Sequence, residues 1–325
     1  MSGRLRALAY GTNLSEGNAV HHVLAAASGN QLSYFQAIVI GVLQGVTELF
    51  PISSLGHSVI LPELFGWTGI VHQQSASESA YLAFLVGLHC GTAIALIIFY
   101  WQDWKRIILA LFNSIKTRKI ESSSERLAWL LIIGTIPVGI VGLAFEHKLR
   151  TIFAVPLYAS IFLTINGLIL LAGERIRKSS EAKHAHGHAP SAKLSTLSFR
   201  DGFLIGCSQI LALFAGISRS GVSMVAGLLR GLDHEDAAKF TFLLATPIIF
   251  AAGVYKLPDL TGPNGKGIVG QVIVGSIAAG LAAYAAIRWL SKYFESKTLL
   301  PFGIYCLVFG GACWIYFGAI HTTIS

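Results

Sequence analysis

Gln44-Gly45-Val46-Thr47-Glu48-Leu49-Phe50-Pro51-Ile52-Ser53-Ser54-Leu55-Gly56-His57 is the stretch whose reading decides the fold. It closes an apolar run, turns polar at a carboxylate, breaks at a proline and restarts after two serines. Gly216-Ile217-Ser218-Arg219-Ser220-Gly221 is its partial copy. An offset of 165 residues lays Ile40 on Ile205, Gly41 on Gly206, Gln44 on Gln209, Ile52 on Ile217, Ser53 on Ser218, Gly56 on Gly221 and Ser58 on Ser223. Seven identities over nineteen ungapped positions mark a duplicated unit. Broken helices in both halves of a duplicated membrane protein are expected to bring their polar tips together near the bilayer midplane.

Composition agrees with a membrane setting. Hydrophobic residues make up 54% of the chain and charged residues 12%, with a mean hydropathy of +0.64. A soluble domain carries about a quarter charged residues. Long uninterrupted apolar runs, rather than alternating ten-residue ones, exclude an outer-membrane barrel. The net charge of +8 does not imply a nucleic-acid partner, because Lys and Arg gather in short loops between apolar segments. Cys90, Cys207, Cys306 and Cys313 all fall in apolar segments without metal-type spacing, and read as small core residues.

The expected fold is an all-α integral membrane protein with an inverted-topology repeat, about six transmembrane helices and two re-entrant helical hairpins. The spans read as 80–101, 127–145, 157–173, 240–256, 268–288 and 300–320. The hairpins pair 35–50 with 54–66, and 201–214 with 218–232. This divides the chain into a polar N-terminal extension (1–33), a first repeat (34–173, hairpin 35–66), a basic His-containing loop (174–200) and a second repeat (201–325, hairpin 201–232). The extension lacks a compact apolar core before a small-residue site, so a cleaved signal peptide is not expected. Lys105, Arg106, Lys116, Arg118, Lys119 and Arg126 in the loop 102–126, and Arg175, Arg177, Lys178, Lys183, Lys193 and Arg200 in the loop 174–200, place both loops in the cytoplasm. From these anchors the two hairpins enter from opposite sides and both termini lie outside. His184, His186 and His188 sit in a charged, Ser-rich linker and read as a solvated loop rather than a metal tract.

Several residues at the breaks carry chemistry. Gln44 and Glu48 are one helical turn apart and face the break together. A carboxylate in a bilayer faces a cavity, a partner or a metal, so Glu48 is either functional or a structural ion pair with Arg219. Ser53, Ser54 and Gly56 offer a cap and exposed N–H groups, the arrangement that holds anions at a helix start. Gly216, Ser218 and Ser220 repeat it, and Arg219 adds a planar fork suited to phosphate. Close helix packing accounts equally for the glycines but not for Arg219. His57, one turn into the second half-helix, suits acid–base work, a metal, a phosphate or hydrogen-bonded packing. His89 has no polar company along the chain and reads as structural.

Together the two segments resemble the signature segments of the bacitracin-resistance type undecaprenyl-diphosphate phosphatases, over about 34–320. The resemblance implies hydrolysis of undecaprenyl diphosphate to undecaprenyl phosphate and phosphate, recycling the lipid carrier of cell-wall synthesis and giving bacitracin resistance. It implies the bacterial cytoplasmic membrane, a site facing the periplasm, and a divalent cation, Mg²⁺ or Ca²⁺. Its partners are the polyprenyl diphosphate substrate and membrane lipid, with no nucleic acid and with a homodimer left open. Carried over, Glu48 binds the metal, with Gln44 beside it, or activates the nucleophile. Ser54 is the nucleophile, His57 an acid–base or phosphate-orienting group, and Arg219 the diphosphate clamp. Gln44, Ser53, Gly56, Gly216, Ser218 and Ser220 support the substrate. Leu55 and Ala215 depart from the family's usual Thr and Pro, which removes one hydroxyl and one backbone restraint. The rival is an inverted-repeat secondary transporter or lipid flippase, which has no need of a Ser-Ser-x-Gly-His run set against an arginine.

Overall fold

The computed structural model describes residues 32–67, 80–153, 155–184, 194–261 and 267–324. The expected extension 1–33 lies outside these residues except for its last two, and the account below concerns the unit Tyr34–Ser325. No strand occurs among the described residues. The helices are α1 (Tyr34–Leu49), α2 (Ser54–Leu64), α3 (Ala80–Phe99), α4 (Trp101–Thr117), α5 (Ser123–Phe153), α6 (Pro156–His184), α7 (Phe199–Ser208), α8 (Arg219–Leu229), α9 (His234–Thr261), α10 (Val269–Phe294) and α11 (Leu300–Ile324).

By length and composition α5, α6, α9, α10 and α11 each reach across a membrane, and α3 with the bent α4 makes a sixth candidate. Their outward faces carry Leu143, Leu281, Val308 and Ile315, each at least 65% exposed. So much exposed apolar surface is stable only against lipid. This is a helical multi-pass membrane protein.

Equivalent positions of the two stretches do equivalent packing work. In α1, a Cβ on Gly41 would lie 2.4 Å from the carbonyl oxygen of Gly275 in α10. In α7, a Cβ on Gly206 would lie 2.4 Å from the carbonyl oxygen of Gly134 in α5. Glycine is required at both because two backbones meet there. Thus the first stretch leans on a helix late in the chain, and the second leans on one early in it. α3 packs on α9 and α10, and α6 runs along α11 and touches both α2 and α8.

Two expected loops are partly helical. Residues 101–117 form α4, which turns away from α3 by 84°. Trp101, Trp104, Ile108, Leu111 and Ile115 recur every three or four residues there, but the charges among them mask the period in a hydropathy reading. Such an amphipathic helix suits a membrane interface. In the loop 174–200, α6 continues to His184 and a 3-10 turn spans Leu194–Thr196. His186 and His188 lie outside the described residues, so the reading of the histidine tract does too. In the second hairpin the first half-helix stops at Ser208 and tightens into a 3-10 turn over Gln209–Leu213, where Gln209 Nε2 donates to the Gly134 carbonyl (3.1 Å).

Candidate active site

Both breaks are capped in the same way. Pro51 cannot extend α1. Ser53 then caps α2, its Oγ accepting from the Gly56 N–H at 3.2 Å. At the equivalent place Ser218 caps α8, its Oγ accepting from the Gly221 N–H at 3.1 Å. The halves differ in strain. Ser218 has a φ of −85°, whereas Ser53 has a φ of +69°, a region L-residues rarely occupy.

The breaks touch. A Cβ on Gly56 would lie 2.9 Å from the Cα of Gly216, which itself has a φ of +112° and no room beside the Ala159 carbonyl. Carbonyls freed by the first break receive donors from elsewhere, as they must in a bilayer. Ser220 Oγ donates to the Phe50 carbonyl at 3.1 Å, with Ser218 Oγ at 3.5 Å from the same oxygen. Fully buried Asn166 in α6 joins the two: its Nδ2 donates to the Pro51 carbonyl (3.0 Å) and its Oδ1 accepts from the Ser218 N–H (2.9 Å).

Glu48 occupies the junction. Its Oε1 accepts from Arg219 at 2.8 Å, an ion pair with side chains only 8% and 13% exposed. Its Oε2 accepts from Ser54 Oγ at 2.5 Å and from Gln44 Nε2 at 3.2 Å. His89 Nε2 lies 3.1 Å from Gln44 Nε2 and 3.6 Å from the carboxylate. Among the described residues the other terminal nitrogen of Arg219 is buried without a hydrogen-bond partner. A guanidinium already out of water with a spare donor is primed for a second anion. Ser54 is half-buried, so a hydroxyl hydrogen-bonded to a carboxylate stays within reach.

The family model of the bacitracin resistance protein BacA matches residues 37–312. The chain belongs to that family. Undecaprenyl-diphosphatase 2 of Frankia alni is 50% identical over an alignment 340 positions long, which spans 89% of this chain and 99% of that protein. The undecaprenyl-diphosphatases of Mycolicibacterium paratuberculosis and Mycobacterium avium are each 53% identical, over 88% of this chain and 97% and 98% of their own lengths.

In this BacA-family chain Gln44, Glu48, Ser54 and Arg219 meet directly, while Ser53, Gly56, Gly216, Ser218 and Ser220 shape and stitch the breaks. His57 is turned elsewhere. Among the described residues its ring nitrogens lie against the Ser53 carbonyl (2.7 Å) and Tyr305 Oη (2.8 Å), not against Glu48, Ser54 or Arg219. Leu55 packs part-buried on the apolar core and Ala215 is buried. Read as structural from the sequence, His89 in fact joins the Gln44–Glu48 group. No motif in the sequence marks Asn166; its only signal there is that of a lone amide inside an apolar span, as a lone imidazole is for His89.

Proposed function

We propose that this protein hydrolyses undecaprenyl diphosphate to undecaprenyl phosphate and phosphate, recycling the lipid carrier of cell-wall synthesis and giving resistance to bacitracin. The observation that carries the reading is the contact of Ser54, Glu48 and Arg219 across two helix breaks inside an apolar bundle. Glu48 takes the Ser54 proton as Oγ attacks the terminal phosphorus. The phosphoanhydride bond breaks, undecaprenyl phosphate departs, and water later releases phosphate from Ser54. The buried Arg219 donor meets the non-bridging oxygens, where preorganised charge is worth roughly 10²–10³-fold per lost donor. The prenyl tail stays in lipid while its head group reaches the breaks.

A divalent cation, Mg²⁺ or Ca²⁺, fits this donor set as a shared guest. Glu48 and the amide oxygen of Gln44 are hard ligands, and no group of three His, Cys, Asp or Glu among the described residues forms a cage. Mg²⁺ commonly takes one or two carboxylates, keeps several waters and completes its shell with phosphate oxygens. Bound there, it would neutralise diphosphate charge. The basic segments 102–126 and 174–200 support a cytoplasmic-membrane orientation in which the site opens to the periplasm.

Phosphate release from farnesyl and undecaprenyl diphosphate by the detergent-purified protein, with Mg²⁺ and with EDTA, tests the proposal. Metal-dependent release is expected. A well-folded protein silent on both substrates would refute it and turn attention to transport across liposomes.

A further inference from the structure

His57 is 1% exposed, and its ring forms a triangle of near-parallel rings with those of Tyr305 and Phe309, its centroid 5.7 Å from Tyr305 and 5.6 Å from Phe309, which lie 5.5 Å from each other. Its hydrogen bonds define its state. The Ser53 carbonyl can only accept, so Nδ1 carries a proton and donates to it at 2.7 Å. In the neutral ring Nε2 is then an acceptor, and Tyr305 O–H donates to it at 2.8 Å. The same Ser53 carbonyl also accepts the His57 backbone N–H at 3.3 Å.

Ser53 is the strained cap. A non-glycine residue at positive φ persists only when its surroundings over-determine it, at a cost of ~1–3 kcal/mol. The other repeat supplies the control. The position equivalent to His57 is Val222, and the cap there, Ser218, has an ordinary negative φ. The histidine accompanies the strained cap, and valine the relaxed one.

We infer that Tyr305 and His57 form a positioning pair for the phosphatase reaction: Tyr305 fixes the ring of His57, and His57 pins the strained Ser53 so that Ser54 Oγ faces Glu48. This rests on the proposed phosphatase activity. It gives Tyr305, 248 residues away from His57 in sequence, a role in the reaction without contact with the phosphate.

The test compares wild type with Tyr305→Phe, which keeps the stacked ring and removes only the hydroxyl. Loss of one hydrogen bond predicts a fall in kcat of roughly three- to tenfold. KM should stay within about twofold and Tm near wild type, because no substrate contact is removed. The second readout is the imidazole ¹⁵N spectrum of the substrate-free protein, with the His57 signals assigned by their loss in His57→Gln. Wild type should show the Nδ1–H tautomer, and Tyr305→Phe should shift Nε2 toward the value of an unbonded acceptor. His57→Asn, whose amide can still donate to the Ser53 carbonyl, should retain at least fivefold more activity than His57→Leu, on the same hydrogen-bond scale of roughly tenfold. Unchanged kcat in Tyr305→Phe beside an active wild type would overturn the inference alone. So would an unmoved Nε2 signal, or equal inactivity of the Asn and Leu variants. A wild type that releases no phosphate would instead overturn the phosphatase reading, and the inference with it.

Discussion

The two helix breaks share a plan and divide the labour. Each has a serine cap bonded three residues ahead and a glycine where the next turn begins. The first break, 48–57, carries the carboxylate, the hydroxyl and a cap held at positive φ. The second, 214–221, carries the cation and a relaxed cap, and lends its serine hydroxyls to the Phe50 carbonyl of the first. The common frame is the one expected from the 165-residue offset in the sequence. Under the proposed function the difference has a use: attack on a phosphorus needs an acid–base side and an anion-clamping side, and the two breaks would supply opposed faces for them.

The largest effect should come from breaking the junction. Glu48→Ala and Arg219→Ala each remove one charge of a buried pair, and phosphate release should fall by at least about 10³-fold in both, since transition-state donors and activated nucleophiles each carry that order of rate. Activity assays beside thermal melts separate this from misfolding.

Equivalent glycines should then respond unequally. Alanine at Gly56 would drive its Cβ into the Gly216 backbone at 2.9 Å, whereas at Gly221 the nearest atom is a side-chain carbon of Ser218 at 3.1 Å. Gly56→Ala should lower activity by about tenfold or more, because displacements near 1 Å at a reacting centre cost up to about 10²-fold. Gly221→Ala should cost several-fold less in the same assay.

Asn166→Ala leaves the Ser218 N–H without its partner and the Pro51 carbonyl with only the weak Cys306 thiol contact at 3.9 Å. A buried orphan costs about 1–3 kcal/mol, so denaturation midpoints should fall clearly while expression of a membrane-inserted protein persists. The smallest effect concerns the caps. Ser53→Gly should be milder than Ser53→Ala by about 1 kcal/mol, since glycine accepts positive φ freely. At Ser218 the two replacements should differ by only a few tenths to about 1 kcal/mol, the ordinary cap scale. Equal rankings at both serines would remove strain from the comparison.

Much of this was legible in the chain itself. The restarts of α2 at Ser54 and α8 at Arg219 follow from local chemistry: a proline, two cap-forming serines and glycines. Gln44 with Glu48 follows from helical spacing, and Glu48 with Arg219 from the cost of an unpaired charge in lipid. What could not be read is set by packing across long separations. His89 reaches Gln44 from 45 residues away, and Asn166 reaches Pro51 from 115. The orientation of His57 depends on Tyr305 in the last helix, and no local pattern marks that ring. Nor was α4 visible as a helix, because hydropathy averages out an amphipathic period.

The central claim is that two breaks make one site, and a double-mutant cycle on phosphate release tests it most directly. Glu48→Gln, Arg219→Gln and the double variant should be strongly non-additive, the double losing little more than either single, with a coupling within the 0.5–3 kcal/mol of residues in one network or beyond it. Losses that simply multiply would mean that the carboxylate and the guanidinium act independently, and would contradict the account.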